Sequence, residues 1–155
     1  IGCAVKSVKR SALVMYSSQQ MYDLVNDVSN YPSFMDGCHS VEVFEHNDQT
    51  MLARLDLKKA GVSLSLLTRN YLKAPEHIQM TLEEGPFRAF RGDWRFTALS
   101  IAACKVELDL AFDFSPRSHT SSLVKVSVLR HKLHDATAKR AGLCEGRLLA
   151  TNTLF

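Results

Sequence analysis

Few residues in this chain stand in patterns that do chemistry. His131 and His134 are three apart and would share one face of a helix. Two imidazoles can hold a metal only with a third ligand. Two such residues by themselves are a weak signal, so a solvated helix face is the simpler reading. Gly-x-Ser-x-Gly, His-Glu-x-x-His and glycine-rich phosphate loops are absent from the sequence, so no catalytic residue and no metal ligand is assigned. Arg88, Arg91 and Arg95 form a second candidate group, the last two at strand spacing. They read either as a solvated surface or as a face that tracks phosphates. The third group is the run NDVSNYPSFMDGC, residues 26–38, which puts Tyr31, Pro32, Phe34 and Met35 where a polar loop is expected. Such aromatics either plug the end of a core or gate the mouth of an apolar cavity.

These groups need elements to hold them. One chain of 155 residues is read as a single domain, 1–155, with room for a sizeable core. Ser17 and Gln20 have the spacing of a capping box. Met21, Leu24, Val25 and Val28 follow on one helical face. Pro32 disfavours helical geometry at Tyr31, which predicts a helix end near Asn30. A short second helix over 32–36 then closes at Gly37. Beyond it the period changes to two. Met51, Ala53, Leu55 and Leu57 alternate with Arg54, Asp56 and Lys58, and Val62, Leu64 and Leu66 with Ser63 and Ser65. Ile78, Met80 and Leu82 alternate likewise, then Phe90, Trp94 and Phe96 with Gly92, then Val106, Leu108, Leu110, Phe112 and Phe114. This predicts a meander of about six antiparallel strands, preceded by one more over 8–16, with one wet and one dry face. The dry face needs a cover. The helices at 17–36 cover one end, and a long element over 116–150, with Leu123, Val126, Leu129, Leu133 and Ala136 inward and Gly142 as its stop, supplies the rest.

Charge is unevenly spread. Residues 1–114 carry 12 Lys+Arg against 14 Asp+Glu, and residues 115–155 carry 7 against 2. Cys3, Cys38, Cys104 and Cys144 form no C-x-x-C pair and read as small apolar residues in a reducing compartment. No signal-peptide core precedes the first strand, and no run of about 18 apolar residues exists. The expected location is cytoplasmic.

The run ALVMYSSQQMYDLVNDVSNYPSFMDGC resembles a known family. So do Lys59-Ala60-Gly61, Thr68-Arg69-Asn70, Gly85-Pro86-Phe87 and Gly92-Asp93-Trp94-Arg95-Phe96. The family is that of RatA-type polyketide cyclase/START-like proteins, related to coenzyme Q-binding START-domain proteins. The match spans about residues 8–114; the segment after Phe114 departs from the family's apolar final helix. The resemblance implies an α+β helix-grip fold. In it a curved antiparallel sheet of about seven strands wraps a long C-terminal helix, with two short helices between strands 1 and 2.

It also implies a cavity between sheet and helix that binds a hydrophobic ligand, ubiquinone or a related isoprenoid. Expected lining residues are Tyr31, Phe34, Leu55, Leu57, Leu64, Leu66, Met80, Leu82, Phe87, Trp94 and Phe112. An isoprenoid tail gains about 0.8 kcal/mol per buried CH₂. Its head needs hydrogen-bond donors and a flat partner such as Trp94 or Tyr31. The alternative is a ribosome-binding protein that blocks subunit association, with Arg88, Arg91 and Arg95 against RNA of the large subunit. A second alternative is a polyketide cyclase or dehydratase. Expected partners are a hydrophobic small molecule, the large ribosomal subunit and a transient membrane contact, with no DNA and no cofactor other than a bound quinone.

Overall fold

The computed structural model describes residues 5–114 other than 36 and 60. The helix expected over 116–150, the His131/His134 pair, Cys3 and Cys144 lie outside the described residues.

The chain opens with β1 (Lys6–Val14), followed by α1 (Ser18–Asn26), a 3-10 turn (Val28–Asn30) and α2 (Tyr31–Phe34). Six strands follow: β2 (Cys38–His46), β3 (Thr50–Lys59), β4 (Val62–Lys73), β5 (His77–Glu84), β6 (Phe87–Ser100) and β7 (Ala103–Phe114). They form one antiparallel sheet in the order β1-β7-β6-β5-β4-β3-β2. Sequential strands pair by hairpins, so the meander expected from the alternation is present. Because β1 and β2 are the two edges, their connection must cross the whole sheet. The helices make that crossing: α1 packs on β6 and β7, and α2 on β2.

The start of α1 follows from its capping box. Gln20 N–H donates to Ser17 Oγ at 3.1 Å, and Ser17 N–H donates to Gln20 Oε1 at 2.9 Å. Met21, Tyr22 and Val25 are its buried face. The helix ends earlier than expected, at Asn26, and Tyr31 is itself helical, with φ −53° and ψ −41°. The bias that Pro32 imposes on its predecessor is outweighed by a tertiary tie. Tyr31 Oη donates to the Val25 carbonyl, one of those that the end of α1 leaves without a helical partner. Gly37 and Gly61 hold φ of 77° at the turns into β2 and β4, a conformation other residues adopt at a cost.

The concave face is the core. Ala12, Val14, Leu57, Leu64, Leu66, Ile78, Trp94, Phe96, Cys104, Val106, Leu108, Leu110 and Phe112 are buried there with the α1 residues. Trp94 and Phe96 lie nearly parallel, 9° apart with centroids 6.3 Å apart, and Tyr22 meets Phe96 edge-on at 5.7 Å. A bulge between Phe87 and Ala89 shifts the parity of β6, so that Phe87 and Phe90 both reach the core. The convex face carries ion pairs, among them Arg69 between Glu45 and Glu83, and Lys9 with Asp109.

Candidate functional site

Between the concave face and the α1–α2 segment lies a cavity of about 80 Å³. Its walls come from four strands in the middle of the sheet, β7, and the helical crossing. Tyr31, Leu55, Leu57, Leu66, Met80 and Trp94 line it as the sequence suggests. Leu64 and Phe112 do not: they are buried in the core beside it. Leu82 packs against that core, and Phe87 is packed between Phe90 and Phe112, with centroids 5.5 Å and 5.9 Å away. The side chain of Phe34 lies outside what the structure describes. Tyr31 contributes its ring rather than its hydroxyl, which is committed to the Val25 carbonyl. Tyr31 therefore joins the cavity wall to the end of α1.

The wall also holds residues the sequence reading passed over: Val25, Val28, Met35, Thr68, Asn70, Ile78, Phe90 and Leu110. Thr68 and Asn70 are the unexpected ones. They follow Leu64 and Leu66 at the same parity on β4 and are only 5% and 6% exposed. Their ladder neighbours are apolar. Thr68 lies between Ala53 and Leu82, and Asn70 between Met51 and Met80. Asn70 Oδ1 is buried with no hydrogen-bond partner; among the described residues only Asn26 Oδ1 shares that condition. The signal in the sequence was parity alone, the polar pair extending the apolar row of β4.

Gly92 makes room in the floor. It is paired with Met80 on one side and Leu110 on the other. A Cβ at Gly92 would overlap Met80 Cε and lie 2.9 Å from Leu110 Cδ2. The glycine lets both side chains lie flat across the strand.

The arginines expected to meet RNA lie on or beside the convex face, and two of them face carboxylates. Arg88 Nε is 4.0 Å from Asp113 Oδ2, and Arg91 Nε donates to Asp93 Oδ2 at 3.2 Å. Asp93 also accepts from His77 Nε2 at 2.9 Å. Burial alone would push the Asp93 carboxyl up. The hydrogen bonds from His77 and Arg91, with their charges, outweigh it and hold the group below the usual carboxylate range. Arg95 is exposed, forms no ion pair among the described residues, and borders two surface grooves, one with Lys9 and Glu107 and one with Glu76 and His77. This face mixes both signs. Among the described residues no group of three or more His, Cys, Asp or Glu is arranged to hold a metal ion, and no helix is long and apolar enough to cross a membrane.

Comparison with known proteins agrees with the architecture. The chain is 44% identical over 138 residues to a Vibrio cholerae protein named ribosome association toxin RatA, covering 88% of this chain and 96% of that protein. It is 45% identical over 108 residues to the Escherichia coli protein of the same name, covering 70% and 68%. Among solved structures, the Zhui aromatase/cyclase from a Streptomyces species superposes with a TM-score of 0.72 at 16% identity, over 90% of each chain. TTHA0849 from Thermus thermophilus superposes with a TM-score of 0.75 at 15% identity, over 90% of this chain and 99% of that one. These likenesses show the START-like fold. The family described as polyketide cyclase / dehydrase and lipid transport matches residues 14–132, and the chain belongs to that family.

Proposed function

We propose that this chain is a cytoplasmic protein that associates with the ribosome, on its large subunit, and acts by occupying that surface rather than by transforming a substrate. The observation that carries the reading is the 44% identity across 96% of the length of a relative named for ribosome association. Whole-length likeness of this kind covers surface and core together, so it bears on a docking face as well as on the fold. The charge of the chain supports it. The excess of 7 Lys+Arg over 2 Asp+Glu in residues 115–155, with exposed Arg95 on the sheet, which forms no ion pair among the described residues, supplies cations for phosphate.

Sedimentation through a sucrose gradient with purified subunits tests the proposal. The protein is expected with the large subunit at low salt and released as salt rises, because contacts with phosphate release counterions. Protein that stays at the top of the gradient at both low and moderate salt overturns it.

A second reading concerns the cavity, whose described lining is mostly apolar and bears no ionisable side chain other than the Tyr31 phenol. It suits a small apolar molecule. A cavity of about 80 Å³ is well below the roughly 300–1,000 Å³ of sites for drug-sized ligands. One ring or a short branched chain matches it, whereas a whole prenylated quinone needs the walls to part. Mass spectrometry of an organic extract of the purified protein checks this: a stoichiometric small apolar compound is the expected result, and its absence from protein purified without detergent counts against the reading.

A further inference from the structure

We propose that the cavity selects a small apolar molecule carrying a hydroxyl group, and that Asn70 is the residue that selects it, with Thr68 as a second polar point. The inference rests on the reading that the cavity takes an apolar molecule, and it adds the chemical class.

Asn70 is nine-tenths buried, borders the cavity, and has an amide oxygen with no partner. Such an oxygen forfeits its hydrogen bond to water without replacement. Among the described residues, its neighbours do not repair this. Met51 and Met80 flank it on the sheet, and a thioether offers no proton. The Tyr31 hydroxyl, which could donate, is turned to the Val25 carbonyl. Leu55, Leu66, Ile78, Phe90 and Leu110 have no donor. Among the described residues, the space that borders Asn70 is the cavity, and a partner from outside the chain enters there.

A hydroxyl is the group that fits. It donates to the amide oxygen, and as an acceptor it also suits the amide nitrogen, so either orientation of the side chain is served. Thr68 stands two residues along the same strand and on the same face, roughly 6.8 Å away by strand rise. One ligand oxygen reaches Asn70, and a second polar atom across a small ring reaches Thr68. A carboxylate is disfavoured, since the described lining offers it no cation. A pure hydrocarbon leaves Asn70 as it is.

The test uses cyclopentanol and methylcyclopentane, two rings of equal heavy-atom count. Trp94 is the single tryptophan of the chain and borders the cavity, so its fluorescence reports occupancy. The quantity read is the ratio of the two affinities, compared between the wild type and Asn70→Leu. The substitution is expected to shift that ratio about tenfold against the alcohol, the effect of one hydrogen bond with its desolvation. Asn70→Met, an unbranched apolar replacement, is expected to shift it in the same direction, and it reads the same quantity if Asn70→Leu does not fold. An unchanged ratio in both variants, with the hydrocarbon still bound, overturns the hydroxyl assignment alone. Failure of both rings to perturb Trp94 overturns it together with the apolar-cavity reading.

Discussion

Asn70 and Met80 face each other across the β4–β5 ladder, and both border the cavity. A buried amide beside a thioether is a poor arrangement for stability, because neither atom serves the other's hydrogen-bonding need. Sites that break a packing rule are often sites of function.

The arrangement predicts that Asn70→Leu stabilises the free protein. Leucine has a similar size, removes the unpaired oxygen and adds apolar contact with Met51 and Met80. A gain of about 1–3 kcal/mol is expected in urea unfolding. A loss instead would mean that the amide is already satisfied in the free protein and is part of its polar framework.

Gly92 predicts the opposite behaviour. Gly92→Ala drives a methyl group into the space of Met80 Cε and Leu110 Cδ2. The Met80 tip is the part free to move, and the cavity is the open space beside it. Overpacking of this kind costs about 1–3 kcal/mol. The variant is expected to unfold at lower urea and to bind cyclopentanol more weakly. Wild-type binding by a destabilised Gly92→Ala variant would place the ligand elsewhere.

Most of the sheet was legible because its face pattern is simple. The alternation at Met51–Leu57 and at Val106–Phe112 gave strands whose apolar side is the core side. What failed was the reading of β4 past Leu66. The strand runs to Lys73, but Thr68 and Asn70 interrupt the apolar row, and a period-two search stops at the first polar residue on the dry parity. Only the neighbours across the sheet reveal that these two are buried. Phe90 was read on the dry parity with Trp94, but parity alone does not say which dry-face residues border the cavity. Phe87 lies before a bulge that resets the parity of β6, and a bulge has no signature in hydrophobic period. Val28 reads as helix face in sequence, yet it sits in the 3-10 turn and lines the cavity, a placement fixed by where the crossing meets the sheet.

The arginines were treated as equivalent in sequence, and their partners separate them. Arg95→Glu is expected to weaken association with the large subunit and to lower the salt slope of binding by about one, the signature of a lost phosphate contact. Arg91→Glu sets a second carboxylate beside Asp93, where Arg91 Nε now stands 3.2 Å from Asp93 Oδ2. Its main effect is on stability, a loss of up to about 1 kcal/mol at this exposed position. Gradients at two salt concentrations and urea melts separate the two outcomes. Sedimentation of Arg95→Glu identical to the wild type would move the interface off this face.

Asp93 carries the last prediction, a dependence on pH. Its side chain is about nine-tenths buried and is held by His77 at 2.9 Å and Arg91 at 3.2 Å. Those contacts hold its carboxyl below the ordinary range in the folded protein, whereas in the unfolded chain it titrates near the ordinary value of about 3.9. A group with a depressed folded value contributes stability that is fully present above the unfolded value. That stability is lost as pH falls through the folded one. Asp93→Asn removes the charge and weakens both hydrogen bonds, which is expected to cost about 1–3 kcal/mol at neutral pH. The gap between the two proteins should then close as the pH is lowered from about 4, because the wild type loses by protonation what the variant lacks from the start. Urea unfolding of both proteins at pH 7 and across pH 4 to 2.5 measures it. A gap that keeps its size into the acid range would mean that the Asp93 charge contributes nothing and that the loss in the variant is one of packing alone.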